Sequence, residues 1–246
     1  MRSPSSSGKG SSRSVPPRAL EPAGVALVDK PAGPSSHAIV AQIRRMTGAR
    51  TGHAGTLDPF ATGLLLVLSG RTTKIAQCLV GLDKRYLTDV ALTSRTSTGD
   101  PEGPVVEWLE APDESELERR LAGLRGEIEL PIPATSAVKI GGERAYRLAR
   151  QGVEVEMPLR RSTVYALDVI SYTGDPDAIE TVTLDLRVSS GTYVRAIAEA
   201  LGGHCRTLRR TEVGPFSVAD AVTPDAFEPA RLLPEAVVLE RVGVSA

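Results

Sequence analysis

The clearest pattern in the chain is a strict alternation of apolar and polar residues. In residues 181–188 every second side chain is Val or Leu, and the positions between them carry Thr, Asp and Arg. Such a period of two is typical of a strand with one buried face. Apolar or strand-like segments at 25–29, 64–68, 86–92 and 163–172 predict four further strands.

Apolar residues at helical spacing mark a second kind of segment. In residues 34–46, Ile39 and Ile43 fall on one face, and Ser35 or Ser36 can cap the helix. The same spacing predicts helices at about 73–79, 114–124 and 193–201. Strands and helices are interleaved without a regular strand–helix–strand repeat. We therefore predict an α+β fold, a mixed, largely antiparallel sheet with helices on its faces.

The composition divides the chain into a tail and one domain. Thirteen of the first 22 residues are Ser, Gly or Pro, and four basic residues against one acidic residue give this segment a net charge of +3. We predict a disordered basic tail over 1–22, which is either a solvated extension or a loose contact for RNA. The whole chain is 41% hydrophobic, and we predict one folded domain over 23–246 in which 217–246 form a short docked extension.

Several classes of protein are excluded by what the sequence lacks. Two cysteines rule out a disulfide framework and indicate a reducing compartment. With only three histidines in addition, a closed zinc site is not expected. No apolar run approaches the roughly 20 residues of a membrane helix, so we predict a cytoplasmic protein that does not contact a membrane. The formal net charge is −1, but arginines cluster locally, so a positive face for RNA remains open.

The densest concentration of unusual residues is the block from Gly52 to Gly63. Three glycines, a proline and two threonines in twelve residues exclude a regular helix or strand. Asp58 stands near the centre of this loop, directly before Pro59. Its carboxylate either braces a turn, as Asp-Pro pairs often do, or is presented to a substrate.

Two other short segments carry candidate chemistry. Tyr193 and Arg195 follow a strand and open a helix, so that an aromatic ring and a guanidinium lie two residues apart. Lys84, Arg85 and Tyr86 open another strand. This triplet offers phosphate contacts and a stacking surface to RNA, or it is a solvated loop that leads into an ordinary strand tyrosine.

These segments follow one another along the chain in the same order as the motifs of a known protein family. The sequence resembles the TruB family, the bacterial synthases that form pseudouridine-55 in the T loop of transfer RNA. The resemblance runs from about residue 24 to 216. It rests on these motifs: Asp29-Lys-Pro31, Gly52-His-Ala-Gly-Thr-Leu-Asp-Pro59, Asp83-Lys-Arg-Tyr86, Ser136-Ala-Val-Lys139, Gly191-Thr-Tyr-Val-Arg195 and Leu208-Arg-Arg210.

The resemblance implies a role for each matching residue in the cavity. Asp58 matches the essential catalytic aspartate, and Arg195 matches the arginine that pairs with it. Tyr86 matches the aromatic residue that stacks on the extruded uracil, Tyr193 a second aromatic of the pocket, and Leu208 an apolar pocket residue. Whether the carboxylate attacks covalently or abstracts a ribose proton stays open.

Two further matches concern the RNA and the loop. His53 matches the histidine that enters the T loop and fills the space left by the flipped nucleotide, and Lys30 is implied to support the pocket. The reaction exchanges one bond to the same ring for another, so no cofactor or metal is expected. The implied partner is transfer RNA, bound through its T stem-loop by a monomer that needs no protein partner.

The chain departs from the family pattern in two places. Many members carry a C-terminal PUA-type RNA-binding domain, which we do not expect here. Residues 200–208 look like a shortened connection, which leaves the position of Leu208 open. Two alternatives remain: a guide-RNA-dependent isomerase that acts on another RNA, and a noncatalytic chaperone of the tRNA T arm.

Overall fold

The computed structural model describes residues 22–150, 153 and 155–244. The predicted tail therefore lies outside the described residues, except for Pro22.

The strands are β1 (Gly24–Lys30), β2 (Thr51–Ala54), β3 (Thr62–Ser69), β4 (Lys84–Ala91), β5 (Ser94–Thr96), β6 (Val105–Trp108), β7 (Gly126–Pro131), β8 (Lys139–Ile140), β9 (Glu143–Arg144), β10 (Leu159–Asp175), β11 (Ala178–Val188), β12 (His204–Val213) and β13 (Phe216–Ser217).

The α-helices are shorter than the strands and lie between them in the chain. They are α1 (Ser36–Thr47), α2 (Ala76–Val80), α3 (Glu114–Ala122), α4 (Ala145–Arg150), α5 (Val194–Ala200) and α6 (Glu235–Arg241). Short 3-10 helices occupy Gly70–Ile75, Val218–Asp220, Pro224–Ala226 and Pro229–Arg231. The helix predicted at 73–79 is present as two consecutive segments, a 3-10 helix over Gly70–Ile75 that leads directly into α2.

One large sheet organises the molecule. Its strands follow the order β1-β3-β12-β4-β11-β10-β7, with β2 paired to β3 and β13 paired to β12. Every pairing in it is antiparallel except that of β3 with β12, which is parallel. β5 with β6 and β8 with β9 form two separate small hairpins. The predicted fold class, a mixed and largely antiparallel sheet with helices, is confirmed.

Helices cover both faces of this sheet where β3 runs through it. Leu65 and Val67 pack in one apolar cluster with residues of α1, α3 and α5, whereas Leu64, Leu66 and Leu68 pack in a second cluster with α2 and α6. A strand buried on both faces needs apolar side chains at every position. This is why residues 64–68 form an unbroken apolar run instead of an alternation.

An inner strand of the sheet was not predicted from the sequence. Residues 204–213, whose first part was interpreted as a shortened connection, form β12 between β3 and β4. Irregularities between Cys205 and Thr207, and between Arg210 and Glu212, break its pairing with β4 and hide the strand period.

The C-terminal residues run along the outer strand of the sheet. The backbone groups of Val25 and Leu233 exchange two hydrogen bonds of 2.9 Å, and the Asp29 amide donates to the Val222 carbonyl at 2.9 Å. Among the described residues, no helix is long and apolar enough to cross a membrane.

Candidate active site

The loop that carries Asp58 joins β2 to β3 and is anchored on its α1 side by a serine. The hydroxyl of Ser36 donates to the Leu57 carbonyl at 2.8 Å and accepts from the Leu57 amide at 2.9 Å. Since Ser36 is buried in the first turn of α1, these two bonds tie the residue before Asp58 to a helix.

Lys30 holds the other side of the same loop. Its buried ammonium group donates to the carbonyl oxygens of Pro31, Pro59 and Ala61 at 2.9, 3.0 and 2.6 Å. Burial lowers the pKa of Lys30 to about 8, although the nearby negative charge of Asp58 acts in the opposite direction. The structure thus places Lys30 against the backbone of the loop, and its implied supporting role stays a prediction.

Arg210 fastens both ends of the Asp58 loop from β12. Its guanidinium donates to the carbonyls of Leu64, Gly55 and Thr56 at 2.8, 3.0 and 3.5 Å. At the far end, Gly63 adopts φ +99°, and a Cβ atom there would lie 2.2 Å from the Arg210 carbonyl oxygen. Only glycine permits this approach. Arg210 lies in the motif Leu208-Arg-Arg210, but no role for it was predicted from the sequence.

Asp58 contacts Arg195 at the wall of a cavity that this loop borders. Arg195 Nε lies 3.0 Å from Asp58 Oδ2, and its Nη1 lies 3.3 Å from Oδ2 of a second carboxylate, Asp100. The Arg195 side chain is 3% exposed and the Asp100 side chain 5%, whereas Asp58 keeps 34% of its side-chain surface open to solvent. Asp58 is therefore the member of this group that a ligand can reach.

Two threonines fix the arginine at this position. Arg195 Nη1 donates to the Thr98 carbonyl at 2.8 Å and also bonds the Thr135 hydroxyl, while Nη2 donates to the Thr135 carbonyl at 3.3 Å. Asp100 is held by the Thr98 hydroxyl at 2.5 Å and by the Glu102 amide at 3.1 Å. Asp100 was not predicted from the sequence, because nothing near it in the chain indicates a partner in α5.

The protonation of Asp58 reflects these opposing influences. Burial raises the pKa of its carboxyl above the ordinary value, Arg195 pulls the pKa back down, and the like charge of Asp100 raises it again. Arg195 opposes the effect of burial, as the sequence analysis expected, but it does not cancel it. A carboxyl with a raised pKa at the edge of a cavity is the kind of group that takes part in chemistry.

Five of the predicted site residues line a single cavity of about 290 Å³: Asp58, Tyr86, Tyr193, Arg195 and Leu208. Tyr86 and Leu208 come from the neighbouring strands β4 and β12, and Tyr193 directly precedes α5. Burial raises the pKa of the Tyr193 hydroxyl. Leu208 reaches the cavity because 204–213 is a strand, although the sequence had left its position open. The roles of these residues stay predictions.

His53 lies outside this cavity, in an adjoining groove. The groove also contains His37, Lys139 and Arg144, and it shares Thr56 and Ala137 with the cavity. The rings of His53 and His37 meet edge to face, with centroids 5.3 Å apart. Burial and the neighbouring charges of His37 and Arg210 lower the pKa of His53, and its buried Nδ1 has no hydrogen-bond partner in the described part of the chain.

The two cations before Tyr86 are engaged within the protein. Lys84 is buried, and its ammonium group donates to the carbonyls of Val80 and Leu82 and to the Ser190 hydroxyl. Arg85 pairs with Asp185 and with a second carboxylate on β12. The interpretation as a solvated loop was therefore wrong, because Lys84 is a buried strand residue that lines the cavity, whereas a phosphate contact from this triplet stays a prediction.

Comparison with known proteins identifies the family. The model of the TruB family pseudouridylate synthase (N terminal domain) matches residues 44–194. A protein of Corynebacterium jeikeium named tRNA pseudouridine synthase B is 45% identical over 234 residues, which cover 89% of this chain and 74% of the relative. A protein of the same name from Leifsonia xyli is 43% identical over 85% of this chain and 73% of its own length.

The chain belongs to the TruB family. The family model covers His53, Asp58, Tyr86 and Tyr193, and it ends one residue before Arg195. The alignments with the two bacterial relatives extend the similarity to most of the chain.

The fold of this chain is also similar to that of a protein in a solved multiprotein complex. The chain matches a protein in the crystal structure of a Cbf5-Nop10-Gar1 complex with a TM-score of 0.64 and 27% identity. The match covers 89% of this chain but 62% of that protein, so the chain spans less than two thirds of its length.

Proposed function

We propose that this protein isomerises uridine to pseudouridine in the T loop of transfer RNA, at position 55. The observation that carries the proposal is the contact of Asp58 with Arg195 inside a cavity that also contains two tyrosines. Membership of the family indicates the reaction class, the formation of pseudouridine. The two bacterial relatives, which are 43% and 45% identical, both carry the name tRNA pseudouridine synthase B.

The cavity suits an extruded base. Pockets for small ligands begin at about 300 Å³, so a space of about 290 Å³ accommodates one base rather than a larger ligand. The rings of Tyr86 and Tyr193 offer apolar surfaces for stacking, and Asp58 lies in the same space. An enzyme that works on a base within a folded loop must first remove that base from its stack, so a cavity lined by two aromatic side chains supports this assignment.

Asp58 and Arg195 have different roles in this proposal. Asp58 acts on the nucleotide while the glycosidic bond breaks and C5 of the uracil joins the ribose. Arg195 keeps enough of the Asp58 population ionised in a partly dehydrated cavity. Neither covalent attack by Asp58 nor removal of a ribose proton is favoured by this geometry alone. The protein is proposed to act as a monomer, with no protein partner or added metal.

The decisive experiment is to incubate purified protein with an unmodified tRNA transcript, without metal or guide RNA. Carbodiimide-dependent primer extension then locates any pseudouridine. We expect product at position 55 only, and no product on a transcript with cytidine at that position. Product that appears only with a guide RNA would favour the guide-dependent alternative. Binding without any product would favour a chaperone.

Asp58→Asn should abolish product while tRNA binding is retained, because the side chain contributes to the reaction more than to docking. Asp29→Asn is a matched control. Asp29 also pairs with an arginine, at 2.8 Å to Arg209, and its side chain is 28% exposed, close to the 34% of Asp58, but it lies outside the cavity. Equal activity of the two variants would contradict the role of Asp58.

A further inference from the structure

Arg160 lies at the edge of the candidate active site. It takes no part in the hydrogen bonds that hold the described residues of the site together. It belongs to β10, and its guanidinium packs against Gly191 in the turn that leads to Tyr193. A Cβ atom on Gly191 would lie 2.4 Å from Arg160 Nη2 and 3.1 Å from Cζ. Gly191 has φ +81° and lines the cavity, so the guanidinium lies directly beside the cavity wall.

The charge of Arg160 is unpaired, in contrast to its neighbour in the chain. Arg161 faces Glu129 across the β10–β7 pair, with Nε 3.2 Å from Oε1. Among the described residues, Arg160 has no carboxylate within ion-pair distance, and its side chain is exposed. None of its guanidinium N–H groups donates a hydrogen bond to a described residue, so these groups are available to a ligand.

The field of this guanidinium extends to the cavity itself. The pKa of the Tyr193 hydroxyl is raised by burial, and Arg160 is the strongest of the influences that lower it. Arg160 and Tyr193 also line one shallow pocket together with Thr192. A positive charge therefore lies beside the ring that borders the proposed uracil position.

We propose that Arg160 binds a phosphate group next to the target uridine. This inference rests on the proposed function, because a base inside the cavity leaves its own sugar and phosphates at the opening. An exposed guanidinium with free N–H groups is well suited to phosphate oxygens. Arg160 is thereby assigned to binding of the RNA backbone and not to the bond exchange.

The test measures binding of a T-arm hairpin RNA by fluorescence anisotropy over a series of salt concentrations. Replacing Arg160 with Ala should weaken binding about tenfold, the effect of one charge-assisted hydrogen bond. The slope of log affinity against log salt should fall by about 1. Arg160→Lys should restore most of the affinity. Arg161→Ala, the matched control with a paired arginine, should bind within about twofold of the wild type.

A second arm identifies the phosphate. Hairpins with one uncharged methylphosphonate linkage, on either the 5′ or the 3′ side of the target uridine, are compared with the normal hairpin. At one of the two linkages, Arg160→Ala should cause no further loss, because its partner charge is already absent. Additive losses at both linkages, or wild-type affinity and salt slope in Arg160→Ala, would overturn the proposal.

The two proposals can fail separately. If wild-type protein forms no pseudouridine, the proposed function fails, whatever the binding results are. If it forms pseudouridine at position 55 but Arg160→Ala binds normally, only the assignment of Arg160 fails.

With saturating RNA, the single-turnover rate of Arg160→Ala should stay within about threefold of the wild type, since the residue is not in contact with Asp58.

Discussion

Two buried arginines line the same cavity and are used in opposite ways. Arg195 contacts the carboxylates of Asp58 and Asp100, whereas every hydrogen bond recorded for the Arg210 guanidinium in the described chain goes to a backbone carbonyl. The first arginine therefore sets the charge of the site. The second sets the shape of the loop that presents Asp58. Residue type and burial do not distinguish these two tasks, but the partners do.

The largest expected effect comes from removing the charge-setting arginine. Arg195→Met removes the cation that contacts both Asp58 and Asp100, and breaking a buried ion pair from one side costs about 3–5 kcal/mol. We expect a loss of unfolding free energy of that size in urea titrations at pH 7. The single-turnover rate should fall by at least about a thousandfold. A stable variant with near wild-type rate would contradict the charge-setting role.

A smaller loss is expected from the shape-setting arginine. Arg210→Met leaves neutral carbonyl acceptors, two of them at the cavity, where water can reach them. We expect a loss of about 1–3 kcal/mol in unfolding free energy. The single-turnover rate should fall about 100-fold, because small displacements of a reacting group are costly.

Arg209→Met serves as the matched control for Arg210. Arg209 is the adjacent residue on β12, and it pairs with Asp29 outside the cavity. It should change the rate by no more than about threefold. If Arg210→Met and Arg209→Met behave alike, the contrast between the two buried arginines is lost.

The smallest effect concerns stability and pH. Because the pKa of Asp58 is raised in the folded state above its ordinary 3.8, the folded protein binds more protons there than the unfolded chain does. The contribution of Asp58 to stability is then fully present below pH 3.8 and is lost as the pH rises through the folded-state pKa. Asp58→Asn should therefore unfold at a higher temperature than the wild type at pH 7, and this advantage should shrink toward acidic pH. A constant difference at all pH values would contradict the direction of the shift.

Local patterns were sufficient for much of the fold. The alternation in β11, the apolar run in β3 and the capped helix α1 each lie within one segment, so a single stretch of sequence predicts them. β2 was missed because its glycine and histidine belong to the Gly52–Gly63 block, which is typical of a loop. β12 was missed because charged and polar residues on a central strand conceal its buried face.

The site was predictable only where the motifs resemble the family. Asp58, Arg195 and Tyr86 lie in such motifs, and the structure brings them to one cavity. Asp100, Arg210 and Arg160 acquire their significance from partners far away in the chain. No local spacing indicates that Asp100 meets α5, or that Arg160 covers Gly191.

The position of β12 has a consequence for how this protein can change during evolution. The strand contributes Leu208 to the cavity and Arg210 to the Asp58 loop, while its other neighbour β4 contributes Tyr86. One inserted or deleted residue before Leu208 would turn the side chains of Leu208 and Arg210 toward the opposite surface of the sheet, whereas Tyr86 on β4 would keep its orientation. A substitution on the strand changes one side chain, but a change in its length would remove the apolar wall at Leu208 and the loop anchor at Arg210 in one event.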